Sequence, residues 1–198
     1  MLRFALPLFV IAHGCTRAKE PVPIVVGQWC DSDRSAEIAC VIDGDTVYAD
    51  SCDADGEVIR LLGVSAPEID HGDGGAECFG DEALDFLDWV LDGRSVNLQF
   101  DTECTDIYDR TLAWMVIDVD EDDDLVPLLF DLDELGLQQD GSFEVLVNEL
   151  LIRAGYAEVY DTDLSEDVRY GRRIEEAEAE AESEERGLHA ADACEDSD

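Results

Sequence analysis

Apolar and polar positions along this chain change period several times, and each change marks an element. From Ala36 to about Leu62, short β-rich runs are broken by Asp-Gly and Asp-Ala-Asp-Gly turns, which predicts three strands joined by hairpins. From Asp81 to Leu91 the period lengthens. Ala83, Leu84, Leu87, Val90 and Leu91 fall on one helical face, and Gly93 follows as a stop. Further strands are expected over Ser95 to Phe100 and Thr111 to Asp118. Val147 to Ala154 is helical in period with Gly155 as its C-terminal cap, and a last helix is expected from near Ser165 through Ile174 to about Arg186, ending at Gly187. This order of elements fits an α+β fold, a five-stranded OB-fold β-barrel with three helices.

The flanks of that pattern read differently. Met1 to Arg3 and the apolar run Phe4 to Ala12 are too short to span a bilayer and resemble a secretory signal. Ala12-His13-Gly14-Cys15 looks like a bacterial lipoprotein cleavage site, so residues 1–15 are expected to be a signal peptide and Cys15 a lipidation site. Residues 16–35 read as a tether, in which Ile24 to Val26 could add a short strand. The segment 118–144 carries the run Asp-Val-Asp-Glu-Asp-Asp-Asp-Leu and reads as an acidic, solvated insertion, because the glycine of an EF-hand loop is missing. Residues 189–198 read as an acidic tail.

Composition adds two constraints. The chain of 198 residues has 7 cysteines; setting Cys15 aside for lipid leaves Cys30, Cys40, Cys52, Cys78, Cys104 and Cys194, enough for up to three disulfides. No Cys-x-x-Cys pair is present, which weakens a zinc reading. The net charge is −39, and Lys19 is the sole lysine. Nucleic acids are normally gathered by positive surface, so any anionic substrate must rest on local arginines and a bound cation. An acid-rich, lysine-poor surface suits work in salt, where the Debye length is about 3 Å at 1 M.

The chemistry concentrates between Val41 and Glu68: Asp43-Gly44-Asp45-Thr46, then Ile59-Arg60-Leu61-Leu62-Gly63-Val64-Ser65-Ala66-Pro67-Glu68. Carboxylates suit a hard cation, an arginine suits a phosphate, and a carboxylate beyond them can take a proton from water. That is a phosphodiesterase site in outline. No P-loop and no Gly-x-Ser-x-Gly element occurs, and His71 stands alone, so ATPase, serine-hydrolase and histidine-metal chemistry find no support.

These blocks, followed by Phe79-Gly80-Asp81-Glu82-Ala83, Asp106-Ile107-Tyr108-Asp109-Arg110 and Val147-Asn148 through Arg153-Ala154-Gly155-Tyr156, resemble the staphylococcal nuclease family in order and spacing across residues 36–188. The resemblance implies a Ca²⁺-dependent nuclease acting on DNA and RNA, single strands being preferred, with products carrying a 3′-phosphate. It implies that Asp45 is the principal metal ligand, with Asp43, Ser65 and the main chain of Ala66 nearby. Arg60 and Arg110 are then aimed at the scissile phosphate, and Glu68 serves the attacking water as base or positioner. Tyr108 would contact the substrate, and Tyr156 and Tyr160 would stand in for base-stacking tyrosines where this chain has Asp161 and Asp163. A pairing of Cys78 with Cys104 is also implied. Ser65 departs from the family, which commonly has a second metal-binding aspartate there; Asp43 or Asp70 are candidates to compensate. The implied protein is an exported monomer at the bacterial cell envelope or outside the cell, touching membrane only through its lipid. The competing expectation is a catalytically silent OB-fold binding module.

Overall fold

The structure, a computed structural model, describes residues 32–70, 72, 75–132, 142–160 and 168–194. Cys15, Cys30, His71, Asp161, Asp163 and the strand expected at Ile24 to Val26 lie outside these residues.

Five strands close into a barrel. β1 (Arg34–Asp43) is long enough to serve two partners: its first half pairs with β5 (Ser95–Gln99) and its second with β2 (Thr46–Ala49), with irregular register near Cys40 and Val41 where it bends between them. β2 pairs with β3 (Glu57–Leu61), β5 pairs with β6 (Thr111–Val119), and β3 meets β6 in parallel, which shuts the ring. β7 (Phe143–Leu146) adds to the outer edge of β6, and β4 (Val64–Ser65) pairs separately with β8 (Glu158–Val159). This mixed five-stranded barrel is the OB-fold architecture that the order of periodicities predicts.

Alternation explains which side chains fill it. Ile59 and Leu61 point inward and are buried, so Arg60 between them points out of the barrel. Leu98 is buried likewise, while β6 is covered on both faces, so the consecutive Trp114 and Met115 are both buried, as is Ile117. α1 (Gly80–Leu91) covers one side; its buried stripe is Ala83, Phe86, Leu87, Val90 and Leu91, with Phe86 rather than the expected Leu84 facing inward. α3 (Val147–Arg153) is buried almost all round and ends before Gly155, whose φ of 79° gives the left-handed cap expected there. Its Asn148 is fully buried and makes three bonds: Oδ1 accepts from Met115 N at 2.8 Å, while Nδ2 donates to Leu62 O at 2.9 Å and to Ala113 O at 3.4 Å. One amide thus satisfies backbone groups where β3 and β6 converge.

Among the described residues there are four α-helices rather than three. The additional one, α2 (Val126–Asp131), forms inside the acidic insertion, where Leu129 is buried and Asp123 ion-pairs with Arg94. α4 (Gly171–Ser183) is shorter than expected and turns Ile174, Ala177 and Ala181 to the core. It is joined to α3 by a charged network in which Glu149, 3% exposed at its side chain, faces Arg153 and Arg173, and Arg153 also faces Glu180. The network neutralises Glu149 on both sides, as a buried carboxylate requires.

Disulfides join Cys40 to Cys52 and Cys78 to Cys194, with Cα separations of 5.8 and 5.7 Å. The implied Cys78–Cys104 pairing is therefore corrected: Cys104 is disulfide-bonded, but not to Cys78. Cys78 lies just before α1, and the chain returns to it from its C-terminal end. Residues 190–194, read from sequence as part of a tail, form a turn tied back to the domain. Among the described residues no helix is long and apolar enough to cross a membrane.

Candidate active site

The site is built where the β1–β2 turn meets the segment leaving β4. Asp43-Gly44-Asp45 forms the turn, with Asp43 Oδ1 accepting from Asp45 N at 3.0 Å. A Cβ on Gly44 would lie 2.5 Å from Ala66 Cβ and 2.7 Å from Ala83 Cβ, so only glycine lets the turn press against both the β4 exit and α1. That closeness brings Ala66 N to Asp45 Oδ2 at 3.0 Å, while Thr46 Oγ1 donates to Oδ1 at 2.8 Å.

Register then delivers the arginine. Thr46 is paired with Arg60 across β2 and β3, which puts the guanidinium beside the residue preceding Thr46. Arg60 Nη1 ion-pairs with Asp45 Oδ2 and donates to Asp45 O at 3.3 Å. A slip by one residue would send Arg60 into the core and break the site. Nη1 is the only Arg60 atom with a hydrogen-bond or ion-pair partner among the described residues, which leaves the other edge of the fork available. The Tyr160 ring centroid stands 6.0 Å from the Arg60 guanidinium carbon, and half of Tyr160 is exposed.

Asp45 is 6% exposed, and its surroundings conflict. Burial pushes its carboxyl up to about 7; Arg60 pulls the other way, and the neighbouring Asp43 adds to the rise. Two carboxylates this close, one buried and one half-buried, favour a second cation beside Arg60, and their hard oxygens suit Ca²⁺. The donor set is thin, because Ser65 is neutral and no group of three or more His, Cys, Asp or Glu side chains suited to a metal occurs among the described residues. A cation there would draw its remaining ligands from water, main chain and substrate. Asp70 turns to its own loop, where Oδ1 accepts from Gly72 N at 2.7 Å.

The second arginine is oriented by a residue whose role the sequence did not disclose. Asp106 Oδ1 accepts from Tyr108 N at 2.9 Å and Arg110 N at 3.0 Å, and Oδ2 takes both Nε and Nη2 of Arg110 at 2.6 Å. Burial opposes ionisation of Asp106, but the Arg110 backbone and guanidinium and the Tyr108 N–H outweigh it and hold the carboxyl below its ordinary value. Asp-x-Tyr and its Asx-type bond was the available signal. Arg110 sits next to Thr111, which pairs with Ile59 on the strand that bears Arg60. Tyr108 is 74% exposed and its ring centroid is 5.5 Å from the Arg110 guanidinium carbon.

Of the other expected residues, Ser65 is half-buried and opposite Glu158 in the β4–β8 pair. Glu68 is exposed three residues further on, and its carboxylate has no partner among the described residues. The structure thus brings Asp43, Asp45, Arg60 and Ala66 into contact and leaves Glu68 on the same segment without a bond to them. Tyr156 differs from Tyr108 and Tyr160. It stacks on Phe86 with centroids 3.9 Å apart and planes at 8°, and burial, then Glu82, raises its hydroxyl pKa. The ring face turned to Phe86 is closed to a base.

A family model for staphylococcal nuclease homologues matches residues 58–191. This chain belongs to the staphylococcal nuclease family. It is 33% identical over 84 residues to a thermonuclease of Staphylococcus hyicus, a match covering 42% of this chain and 49% of that protein. It is 39% identical over 75 residues to a thermonuclease of Staphylococcus intermedius, covering 38% of this chain and 44% of that one. The chain spans about half the length of these thermonucleases. The fold, the family and the likeness to nucleases therefore rest on three separate observations: the closed barrel, the family match and the two relatives.

Proposed function

We propose that this protein is an exported Ca²⁺-dependent nuclease that hydrolyses phosphodiesters of DNA and RNA, with single strands preferred and a 3′-phosphate left on the product. The observation that carries the reading is the Asp45–Arg60 pair, in which an arginine fork is held beside two adjacent carboxylates. Arg60 through its unengaged edge and Arg110 through Nη1 grip the phosphate and stabilise the charge that builds on its oxygens. Glu68, whose exposed carboxylate has no partner among the described residues, accepts the proton of the attacking water. The water oxygen bonds to phosphorus as the bond from phosphorus to the 5′-oxygen breaks, the departing oxygen takes a proton from solvent to become a hydroxyl, and Glu68 returns its proton to solvent. When bound, Ca²⁺ polarises the phosphate as a Lewis acid; Asp45 and Asp43, with Ser65 Oγ and the Ala66 main chain, are the groups that would hold it. Tyr108 and Tyr160, each beside one of the arginines, offer faces for bases.

Every arginine among the described residues is ion-paired, so no free basic surface attracts the substrate. That same fact, with Ser65, supports the alternative of a silent binding module. Export is supported by the disulfides, and a lipid on Cys15, a domain over residues 36–188 and a monomeric state belong to the same proposal. Single-stranded DNA incubated with the purified protein decides between the two readings. Cleavage in Ca²⁺ that stops on chelation is expected; intact DNA retained in a gel shift would instead establish the binding module.

A further inference from the structure

We infer that the Cys78–Cys194 disulfide and Glu77 form a clamp that positions Glu68 for catalysis, an inference that rests on reading Glu68 as the group serving the attacking water. Glu68 is itself exposed, between half-buried Pro67 and Ile69, beyond the two-residue strand β4. The support comes from the residues before α1. Glu77 N donates to Glu68 O at 2.7 Å, and Glu77 Oε2 accepts from Glu68 N at 3.1 Å, so one residue holds both backbone groups of the other. Gly80 closes the cradle: a Cβ there would lie 2.5 Å from Glu68 O and 3.2 Å from Pro67 O.

The cradle is itself held from the far end of the chain. Phe79 adopts a left-handed φ of 74°, a conformation a bulky residue keeps only where its surroundings enforce it. Its ring packs on Tyr156 with centroids 5.5 Å apart, and the preceding Cys78 is bonded to Cys194. Residues 186–194 are bonded back to the domain. Leu188 N donates to Gly155 O at 2.8 Å, Arg186 Nη1 donates to Arg153 O at 3.0 Å, and the turn continues through Ala190 N to Gly187 O at 3.0 Å and Ala193 N to Ala190 O at 3.1 Å. A path of bonded and packed groups therefore runs from the end of α3 through Cys194 and Cys78 to Glu77 and Glu68. Glu77 is a positioning residue in this scheme, since it bonds only the backbone N–H and C=O of Glu68 and not its carboxylate.

Removing the disulfide by Cys78→Ser with Cys194→Ser also loosens the fold, so the decisive variants are Glu77→Ala and Glu77→Gln. On single-stranded DNA in saturating Ca²⁺, Glu77→Ala should lower kcat by about tenfold or more with KM nearly unchanged, because small misplacements of a reacting group can cost up to about 10²-fold. Glu77→Gln keeps a side-chain oxygen acceptor and should restore the rate. In a Glu68→Ala background, Glu77→Ala should cost nothing further. Independently of activity, hydrogen exchange at the Glu68 amide should accelerate about tenfold in Glu77→Ala and in the double cysteine variant, provided the latter's other amides show it folded. Unchanged kcat in Glu77→Ala, a full further loss in the Glu68→Ala background, or an unaltered Glu68 amide would overturn the clamp while leaving the nuclease reading intact. A wild-type protein without cleavage would overturn both.

Discussion

Replacing Arg60 by lysine is expected to reduce DNA cleavage by about 10²-fold to 10³-fold, the usual cost of removing one well-placed donor from a developing oxyanion. Lysine keeps the positive charge that Asp45 needs but loses the planar fork that can serve Asp45 and a phosphate together. The choice of substitution matters because of the ion pair. Arg60→Ala would remove the charge that opposes burial at Asp45, so a carboxyl already pushed up to about 7 must take up a proton to stay buried, and it then holds neither an ion pair nor a cation. Arg60→Ala should therefore lose both rate and stability. Arg110→Ala should lose a comparable factor in rate with little change in thermal midpoint, since its pair with Asp106 is partly solvent-exposed and surface pairs are worth little. Steady-state kinetics alongside thermal melts separate the three variants. Wild-type rates in Arg60→Lys and Arg110→Ala would remove both arginines from the mechanism.

Restoring an acidic residue at position 65 is expected to move half-saturation by Ca²⁺ about tenfold lower, because a charged hard ligand joins Asp45 and Asp43. Ser65 sits next to Ala66, whose N–H bonds Asp45 Oδ2, so a carboxylate on Ser65→Asp enters beside the existing pair. Glu158 lies opposite Ser65 across β4 and β8 and is the nearest acidic residue in register. If Glu158 already supplies the missing charge, Ser65→Asp will bring like charges together and gain nothing. Calorimetric titration of Ca²⁺ into wild type and Ser65→Asp measures this without substrate. An unchanged or weaker curve would mean that the ligand set assigned to Asp45, Asp43 and Ser65 is wrong.

The barrel was legible because its signals are local. Asp-Gly turns, the two-residue period around Ile59 and Leu61 and the helical stripe of α1 each occupy a few consecutive residues, and the structure follows them. Arg60 was legible from the motif that carries the resemblance, and alternation explains why it faces outward between two core residues. Pairings over long separations were not. Cys78 meets Cys194 because the end of the chain folds back over Gly155, an event set by packing of α3, α4 and the following turn, with no trace in cysteine spacing. Glu77 escaped notice because its partner Glu68 is brought to it across a loop. Asp106 stood inside a motif already singled out, yet its hold on Arg110 depends on the turn at Asp109, whose φ of 65° only the structure reveals. Tyr156 and Tyr160 look alike in sequence; burial against Phe86 separates them.

The acidic character of the chain bears on how the site would operate. With Arg60 held by Asp45 and Arg110 by Asp106, both arginines proposed for the site are neutralised by carboxylates at short range, and an incoming phosphate would have to compete with those partners. Such competition favours a polyanion that engages both arginines at once over a free monovalent anion.

The central claim is that this site delivers a water molecule to phosphorus and releases the 5′-oxygen. Its most direct test is cleavage of a single-stranded DNA oligonucleotide in ¹⁸O-enriched water with Ca²⁺, followed by mass analysis of both product ends. The account predicts one ¹⁸O atom in a new 3′-phosphate, an unlabelled 5′-hydroxyl on the other fragment, and no cleavage in chelator. Label in a 5′-phosphate, or DNA left intact in Ca²⁺, would contradict it.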